Sequence, residues 1–271
     1  MLDTNKLYTG DSIDLLRQVD DNSIDLHITS PPYADMKKYV NFKGIHPDKY
    51  VEWIMPFIHE IERTLKPSGS FILNINDKVI NGVRHPYVFE LIVEIHKKTG
   101  LKMFERLFWN KGKYLPHKSR FGDKVEYLFW FVKSTFEFEF YIDTMRNPYD
   151  PKSIARMKKP IKKRFCRTKE NQDANEYKEW CPNPLGALPS TLIEIGSESQ
   201  RQSQTHVAVF PEKLCKYFIE GATKEGELVC DIFSGSGTAC VTAKKLKRNF
   251  LGFDLTKEYT EEANKRLSLI V

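Results

Sequence analysis

Leu228-Val229-Cys230-Asp231-Ile232-Phe233-Ser234-Gly235-Ser236-Gly237-Thr238 is the stretch that decides the fold. It reads as an apolar strand, then a glycine turn, then the start of a helix that continues through Ala239-Cys240-Val241-Thr242-Ala243. Glycines are needed where the chain reverses with unusual dihedrals and where the backbone must approach a ligand closely. The same letters also describe a plain strand-to-helix turn with no ligand. A dinucleotide fingerprint wants a third glycine at position 240, and Cys240 stands there, which disfavours NAD. Roughly 20 residues on, the place of the ribose-binding acid in nucleotide folds, the strand Phe250-Leu251-Gly252-Phe253-Asp254 ends in a carboxylate. Asp254 also suits an N-cap for a helix starting near Lys257, and the two roles are compatible.

Only one more strand and one helix fit between Gly237 and Val271, so the N-terminal half must complete the sheet. The half that holds a cofactor therefore comes last, and the half that acts on the substrate comes first. Apolar runs predict strands at Asp25–Thr29, Ser70–Ile75, Arg106–Trp109, Val125–Lys133, Leu228–Phe233 and Phe250–Asp254. Helical periodicity predicts helices at Asp48–Leu65, Pro86–Lys98, Pro211–Glu220, Thr238–Leu246 and Lys257–Leu267. The first of these carries Val51, Ile54, Met55, Ile58, Ile61 and Leu65 on one stripe and is expected to stop at Lys66-Pro67-Ser68-Gly69. Alternating strands and helices make an α/β fold with a mostly parallel sheet. From about Thr135 to Thr205 the periodicity fades into Lys, Arg, Asn, Pro and Ser, as in an inserted functional module.

Directly after the strand Asp25–Thr29 comes Ser30-Pro31-Pro32-Tyr33. Two consecutive prolines fix the backbone and remove two N–H donors, leaving carbonyls that point outward. A rigid carbonyl beside a hydroxyl and an aromatic ring can receive a flat group bearing an amine. An ordinary proline turn at a strand end has the same composition.

The 271 residues are 41% hydrophobic and 29% charged, a balance that excludes disordered, fibrous and membrane-embedded classes. The net charge of +6 is not spread evenly. Lys152, Arg156, Lys158, Lys159, Lys162, Lys163, Arg164, Arg167 and Lys169 form a run with no acidic residue among them. Without those nine, 33 basic residues face 36 acidic ones, a balance of −3. A one-sign run beside Phe165 suits phosphate contacts better than a merely solvated face. The five cysteines form no Cys-x-x-Cys pair and lie beside no histidine at zinc spacing, so no metal site is expected. The N-terminus lacks signal-peptide architecture and no apolar run could span a bilayer, which leads to the expectation of a cytoplasmic protein without membrane contact.

Taken together, Ser30-Pro31-Pro32-Tyr33 and Asp231-x-Phe233-x-Gly235-x-Gly237-Thr238 resemble the amino-group DNA methyltransferases that use S-adenosyl-L-methionine. Their order, catalytic motif first and cofactor motif last, is similar to the β class of that family. Gly10-Asp11-Ser12, the strand pair around Phe108-Trp109-Asn110-Lys111 and Glu126–Lys133, and His206-x-Ala208-x-Phe210-Pro211 extend the resemblance over most of the chain. Val207 departs from the proline that usually follows the family's histidine, and the residues between Arg120 and Glu126 fit the hairpin block only loosely.

The resemblance implies a Rossmann-like methyltransferase sheet with circularly permuted motifs and a β-hairpin. Its catalytic domain would span 1–134 and 205–271, with a basic target-recognition region at 135–204. It implies that Phe233, Ser234, Gly235, Gly237, Thr238, Asp231, Phe210 and Pro211 line the cofactor and that Asp254 holds the ribose hydroxyls. Asp11 would assist them, although it also suits an N-cap before Ile13-Asp14-Leu15-Leu16. Tyr33 would stack on an extruded base, with Ser30 and Pro31 accepting hydrogen bonds from its amine. Lys37 and Lys38, in a loop able to close over the base, and the basic run at Lys152, Arg156, Lys158, Lys159, Lys162, Lys163, Arg164 and Arg167 would contact double-stranded DNA. No Pro-Cys dipeptide is present, which disfavours methylation at ring carbon five of cytosine. In the family, serine at the first motif position goes most often with cytosine, so N4 of cytosine is the expected target and N6 of adenine the alternative. A methyltransferase acting on RNA or protein, and a non-catalytic nucleic-acid-binding module, are the readings from other classes. A restriction-modification system, with a cognate restriction endonuclease as partner, in the bacterial or archaeal cytoplasm is the implied setting.

Overall fold

The structure is a computed structural model that describes residues 2–34, 44–112, 118–157, 162–163, 178–179, 182–196 and 210–270. It divides into two compact units, one formed by residues 1–141 and 191–271 and the other by residues 142–190.

The larger unit is built on an eight-stranded sheet. In chain order it contains β1 (Lys6–Thr9), α1 (Ser12–Leu16), β2 (Ile24–Thr29), α2 (Pro47–Thr64), β3 (Leu65–Ile75), the small hairpin β4 (Val79–Ile80) and β5 (Val83–Arg84), α3 (Tyr87–Lys98), β6 (Lys102–Asn110) and β7 (Val125–Val132). The smaller unit holds a 3-10 turn at Ile142–Met145, α4 (Pro151–Met157) and the paired strands β8 (Lys162–Lys163) and β9 (Lys178–Glu179). The larger unit resumes with β10 (Leu192–Glu194), α5 (Glu212–Ala222), β11 (Leu228–Asp231), α6 (Thr238–Lys245), β12 (Asn249–Asp254) and α7 (Lys257–Ser268).

The strand order is β1-β12-β11-β2-β3-β7-β6-β10, and within it only β7 runs antiparallel to its neighbours. From β2 the chain crosses to β3 on one side, and from β11 it crosses to β12 on the other. A crevice opens at the carboxyl ends of neighbouring strands whose connections diverge in this way, and open α/β sheets bind ligands there. Both sequence motifs begin where β2 and β11 end.

Alternation along the strands explains how the sheet is held. Phe71, Leu73, Phe129 and Phe131 share one core with Ile54, Ile58 and Ile61 of α2 and Leu91 and Ile95 of α3. Trp130, between Phe129 and Phe131 in sequence, meets Phe218 of α5 edge-on with ring centroids 5.8 Å apart. All six residues of β2 are buried, as a central parallel strand covered on both faces requires.

Two sequence expectations are corrected. Lys66-Pro67-Ser68-Gly69, read as the breaker after a helix, forms the first part of β3, and α2 passes into that strand at Leu65 without a loop. The ladder slips between Ile24 and Leu26, so Ile24 faces Leu65 while Leu26 faces Ser70, and the extra residues form a bulge. Gly69 is required there, because a Cβ would lie 2.9 Å from the Asp25 carbonyl oxygen. The strand Leu228–Phe233 ends two residues early at Asp231, where the glycine turn begins. Among the described residues Cys215, Cys230 and Cys240 are buried, and no helix is long and apolar enough to cross a membrane.

Candidate active site

On the β2 side of the crevice, the fixed proline turn presents Ser30 and Tyr33 half-buried and Pro31 buried. Asn74, near the carboxyl end of β3, and Glu126, at the start of β7, complete a compact polar cluster. Tyr33 Oη donates to Glu126 Oε2 at 2.7 Å and lies 3.0 Å from Asn74 Oδ1. Ser30 Oγ lies 3.2 Å from Tyr33 Oη and 3.3 Å from Asn74 Oδ1. Asn74 Nδ2 donates to the Tyr127 carbonyl at 3.1 Å, which turns its amide oxygen toward the two hydroxyls. Lys111 Nζ donates to Glu126 Oε1 at 2.9 Å, and this pair is only 24% and 13% exposed. One of the two outward-pointing carbonyls expected from the proline pair is consumed, since Tyr50 Oη donates to the Pro32 carbonyl at 3.0 Å.

On the β11 side, the chain turns through Gly235 at φ +49° and Gly237 at φ +75°. Only glycine takes such dihedrals without strain. A Cβ at Gly237 would also stand 2.6 Å from the Ala263 Cβ of α7, so the turn packs against that helix too closely for any side chain. Asp254, ending β12, accepts from the Gly235 amide at 2.8 Å on one oxygen and from the Thr256 amide at 2.8 Å on the other. Its carboxylate is thereby held in one orientation, while burial pushes its pKa up against those two bonds. The expected N-cap role falls to Thr256, which is the residue preceding α7. Phe233 packs its ring against Phe57 and Trp53 of α2, with centroids 5.1 and 5.9 Å apart. The Ser234 hydroxyl is buried and has no hydrogen-bond partner among the described residues.

Beyond the β2–β11 ladder, a side-chain hydrogen bond ties the two sides together at their carboxyl ends, from Thr29 Oγ1 to Asp231 Oδ1 at 2.7 Å, between residues 202 positions apart. Asp231 is buried and also accepts from the Phe233 amide at 3.1 Å. The segment Gly10-Asp11-Ser12 reaches the same corner. The Gly10 amide donates to the Asp254 carbonyl at 2.9 Å and Ser12 Oγ to the Ile232 carbonyl at 2.6 Å. Asp11 is exposed beside them and caps α1 by accepting from the Ile13 amide at 2.8 Å.

The structure thus brings together Ser30, Pro31, Pro32 and Tyr33 on one wall and Asp231, Phe233, Ser234, Gly235, Gly237, Thr238 and Asp254 on the other. Phe210 lies edge-on to Trp109 of β6, with ring centroids 6.4 Å apart, and Pro211 caps α5. Lys152 and Arg156 lie exposed on α4, in the other unit. Lys162 and Lys163 fall on β8, while Lys37, Lys38, Lys158, Lys159, Arg164 and Arg167 lie outside the described residues. Sequence reading missed Thr29, Asn74, Lys111 and the specific part played by Glu126. A polar residue at the end of an otherwise apolar strand, such as Asn74 after Phe71-Ile72-Leu73, was the available signal. Among the described residues no acidic, histidine or cysteine group could hold a metal ion.

Residues 24–265 match the family model described as DNA methylase, with N6 and N4 methyltransferases in its name. Similar proteins include the Type II methyltransferase M.PvuII of Proteus hauseri, 30% identical over 93% of this chain and 80% of that protein. The Type II methyltransferase M.BglII of Bacillus subtilis is 29% identical over 97% of this chain and 69% of that protein. Among solved structures, the PvuII DNA methyltransferase (cytosine-N4-specific) superposes with a TM-score of 0.70 at 27% identity, over 96% of this chain and 85% of the other. The M1.HpyAVI–SAM complex shares the fold, with a TM-score of 0.61 at 21% identity over 97% and 99% of the two chains.

Burial pushes the Asp231 carboxyl from the usual 3.8 up to about 7, against the hydrogen bonds from Thr29 and Phe233. Between those values the folded protein keeps a proton that the unfolded chain has released. The resulting stability is complete below the unfolded value and is lost as the pH rises through about 7. Urea unfolding should therefore show the wild type losing stability as the pH rises from acid to neutral, and Asp231→Asn, with no proton to lose, flattening that decline. Parallel curves for the two proteins would contradict this.

Proposed function

The chain belongs to the N6/N4 DNA methylase family, and from that premise we propose that it methylates the exocyclic N4 amine of cytosine in duplex DNA. Its methyl donor is S-adenosyl-L-methionine. The residues at the β11 wall fit that molecule. A carboxylate oriented by two backbone amides, a turn with glycines at positive φ, and a buried hydroxyl without a partner among the described residues are the parts an adenosyl ligand needs. Asp254 would accept the ribose hydroxyls, while Phe233 and the backbone of Ser234, Gly235 and Gly237 would line the donor's ribose and amino-acid side. Thr238, Asp11, Phe210 and Pro211 complete the proposed set. When bound, the donor supplies an electrophilic methyl group carried on a sulfonium.

The observation that carries the cytosine reading is Ser30 Oγ, standing in one hydrogen-bonded cluster with Tyr33 across the crevice from the glycine turn. A base inside a duplex cannot present its amine there, so the target nucleotide is extruded. The Tyr33 ring stacks on the extruded base. Ser30 Oγ and the Pro31 carbonyl accept hydrogen bonds from the amine, drawing electron density onto nitrogen and directing its lone pair toward the methyl group. A hydroxyl both donates and accepts, so Ser30 can meet the cytosine ring nitrogen as well as the amine, which an ionised carboxylate at this position could not. The similarity to a cytosine-N4-specific enzyme supports the same base. The similarity to Type II methyltransferases supports a modification role beside a restriction endonuclease of the same site, in the cytoplasm. The basic segment within residues 135–204 would contact DNA phosphates and carry target recognition.

Mass spectrometry of nucleosides from DNA treated with the protein and methyl donor should show N4-methylcytosine, sharply reduced for Ser30→Ala. N6-methyladenine as the product would overturn the cytosine assignment, and undiminished transfer by Ser30→Ala would overturn the site. Replacing Lys158, Lys159, Lys162 and Lys163 by glutamine should weaken DNA binding and lower the salt slope by about 1 for each phosphate no longer neutralised. An unchanged affinity and slope would reduce the segment to a solvated face.

A further inference from the structure

Glu126 and Lys111 take no part in the binding roles described above, yet they stand directly behind Tyr33. The chemistry of the donors decides which way each proton points. Lys111 is a donor only, so it claims one oxygen of Glu126. The other oxygen lies 2.7 Å from Tyr33 Oη and can only accept, so the single phenolic proton goes to the carboxylate. A charge-assisted bond of this kind outcompetes the longer contact to Asn74 Oδ1 at 3.0 Å. Tyr33 then has no proton to offer Ser30, 3.2 Å away, and the Ser30 proton rests on Tyr33 Oη or Asn74 Oδ1 until it turns to the ring nitrogen of an extruded cytosine. The lone pairs of Ser30 Oγ are left for the target amine.

We propose that Glu126, oriented by Lys111, is a positioning residue that sets the proton order of the target pocket and keeps Ser30 Oγ an acceptor. This rests on the reading of Ser30 and Tyr33 as the pocket for the extruded base, and it holds whether that base is cytosine or adenine. Glu126→Gln tests it with almost no change of shape. Lys111 would take the new amide oxygen, so the amide nitrogen would face Tyr33 as a donor and reverse the order. The Tyr33 proton would then turn toward Asn74 or Ser30 and occupy the acceptor that the amine needs. Removing the cation as well, in Glu126→Gln with Lys111→Met, frees the amide to turn its oxygen back to Tyr33.

At saturating DNA and methyl donor, Glu126→Gln should slow single-turnover transfer by about tenfold or more, a barrier rise of about 1.4 kcal/mol, with both dissociation constants little changed. The added Lys111→Met should restore part of the rate. In the free protein, the 13C resonance of the Tyr33 ring carbon bearing the hydroxyl, assigned with Tyr33→Phe, should move in Glu126→Gln and move back in the double variant. An unchanged rate or resonance in Glu126→Gln, or a double variant no better than the single one, would overturn the proposal. These results are distinct from failure of the cytosine reading, which appears in the identity of the methylated nucleoside.

Discussion

The hydrogen bond from Thr29 to Asp231 is the constraint on which the rest of the site depends. It joins the carboxyl ends of β2 and β11, the adjacent strands from which the chain departs in opposite directions. Thr29 precedes Ser30 and Asp231 precedes the glycine turn, so this bond, added to the β2–β11 ladder, ties the two motifs together at their base. The bond is buried and its acceptor is a desolvated carboxyl, so leaving either partner unpaired would be costly. The sheet brings the motifs together, and this contact holds their relative position.

Each wall is rigid for its own reason. On the β2 side two prolines remove backbone freedom, while Tyr50, Asn74 and Glu126 hold the Pro32 carbonyl and the Tyr33 hydroxyl. On the β11 side, positive φ at Gly235 and Gly237 and the tight approach of Gly237 to Ala263 hold the turn in one shape. Asp254 is aimed before any ligand arrives, because the Gly235 and Thr256 amides occupy one lone pair of each oxygen. Preorganisation of this kind is what a direct group transfer needs, since positioning and fixed dipoles supply most of its rate.

Much of this was legible in the sequence because it depends on local rules. The glycine turn, the proline pair and Asp254 announce themselves by residue type and spacing, and the order of the motifs implied the permuted sheet. Contacts made across the sheet were not legible. Nothing near Glu126 in sequence points to Tyr33, 93 positions away, and only the antiparallel pairing of β7 with β3 brings them together. Lys66-Pro67-Ser68-Gly69 misled for the same reason. Residues that usually stop a helix here form a bulge, because β3 must pair with β2 at once. The short strands β1 and β10, of four and three residues, carry too little pattern to be seen without their partners.

A crystal structure with duplex DNA and a non-reactive amine analogue of S-adenosyl-L-methionine would measure the shared crevice directly. The target cytosine should lie out of the helix against Tyr33, its amine about 3 Å from Ser30 Oγ and the Pro31 carbonyl. The analogue's ribose should rest on Asp254. A cytosine still stacked in the duplex beside a filled donor site, or an analogue bound away from the glycine turn, would contradict a single crevice serving both motifs.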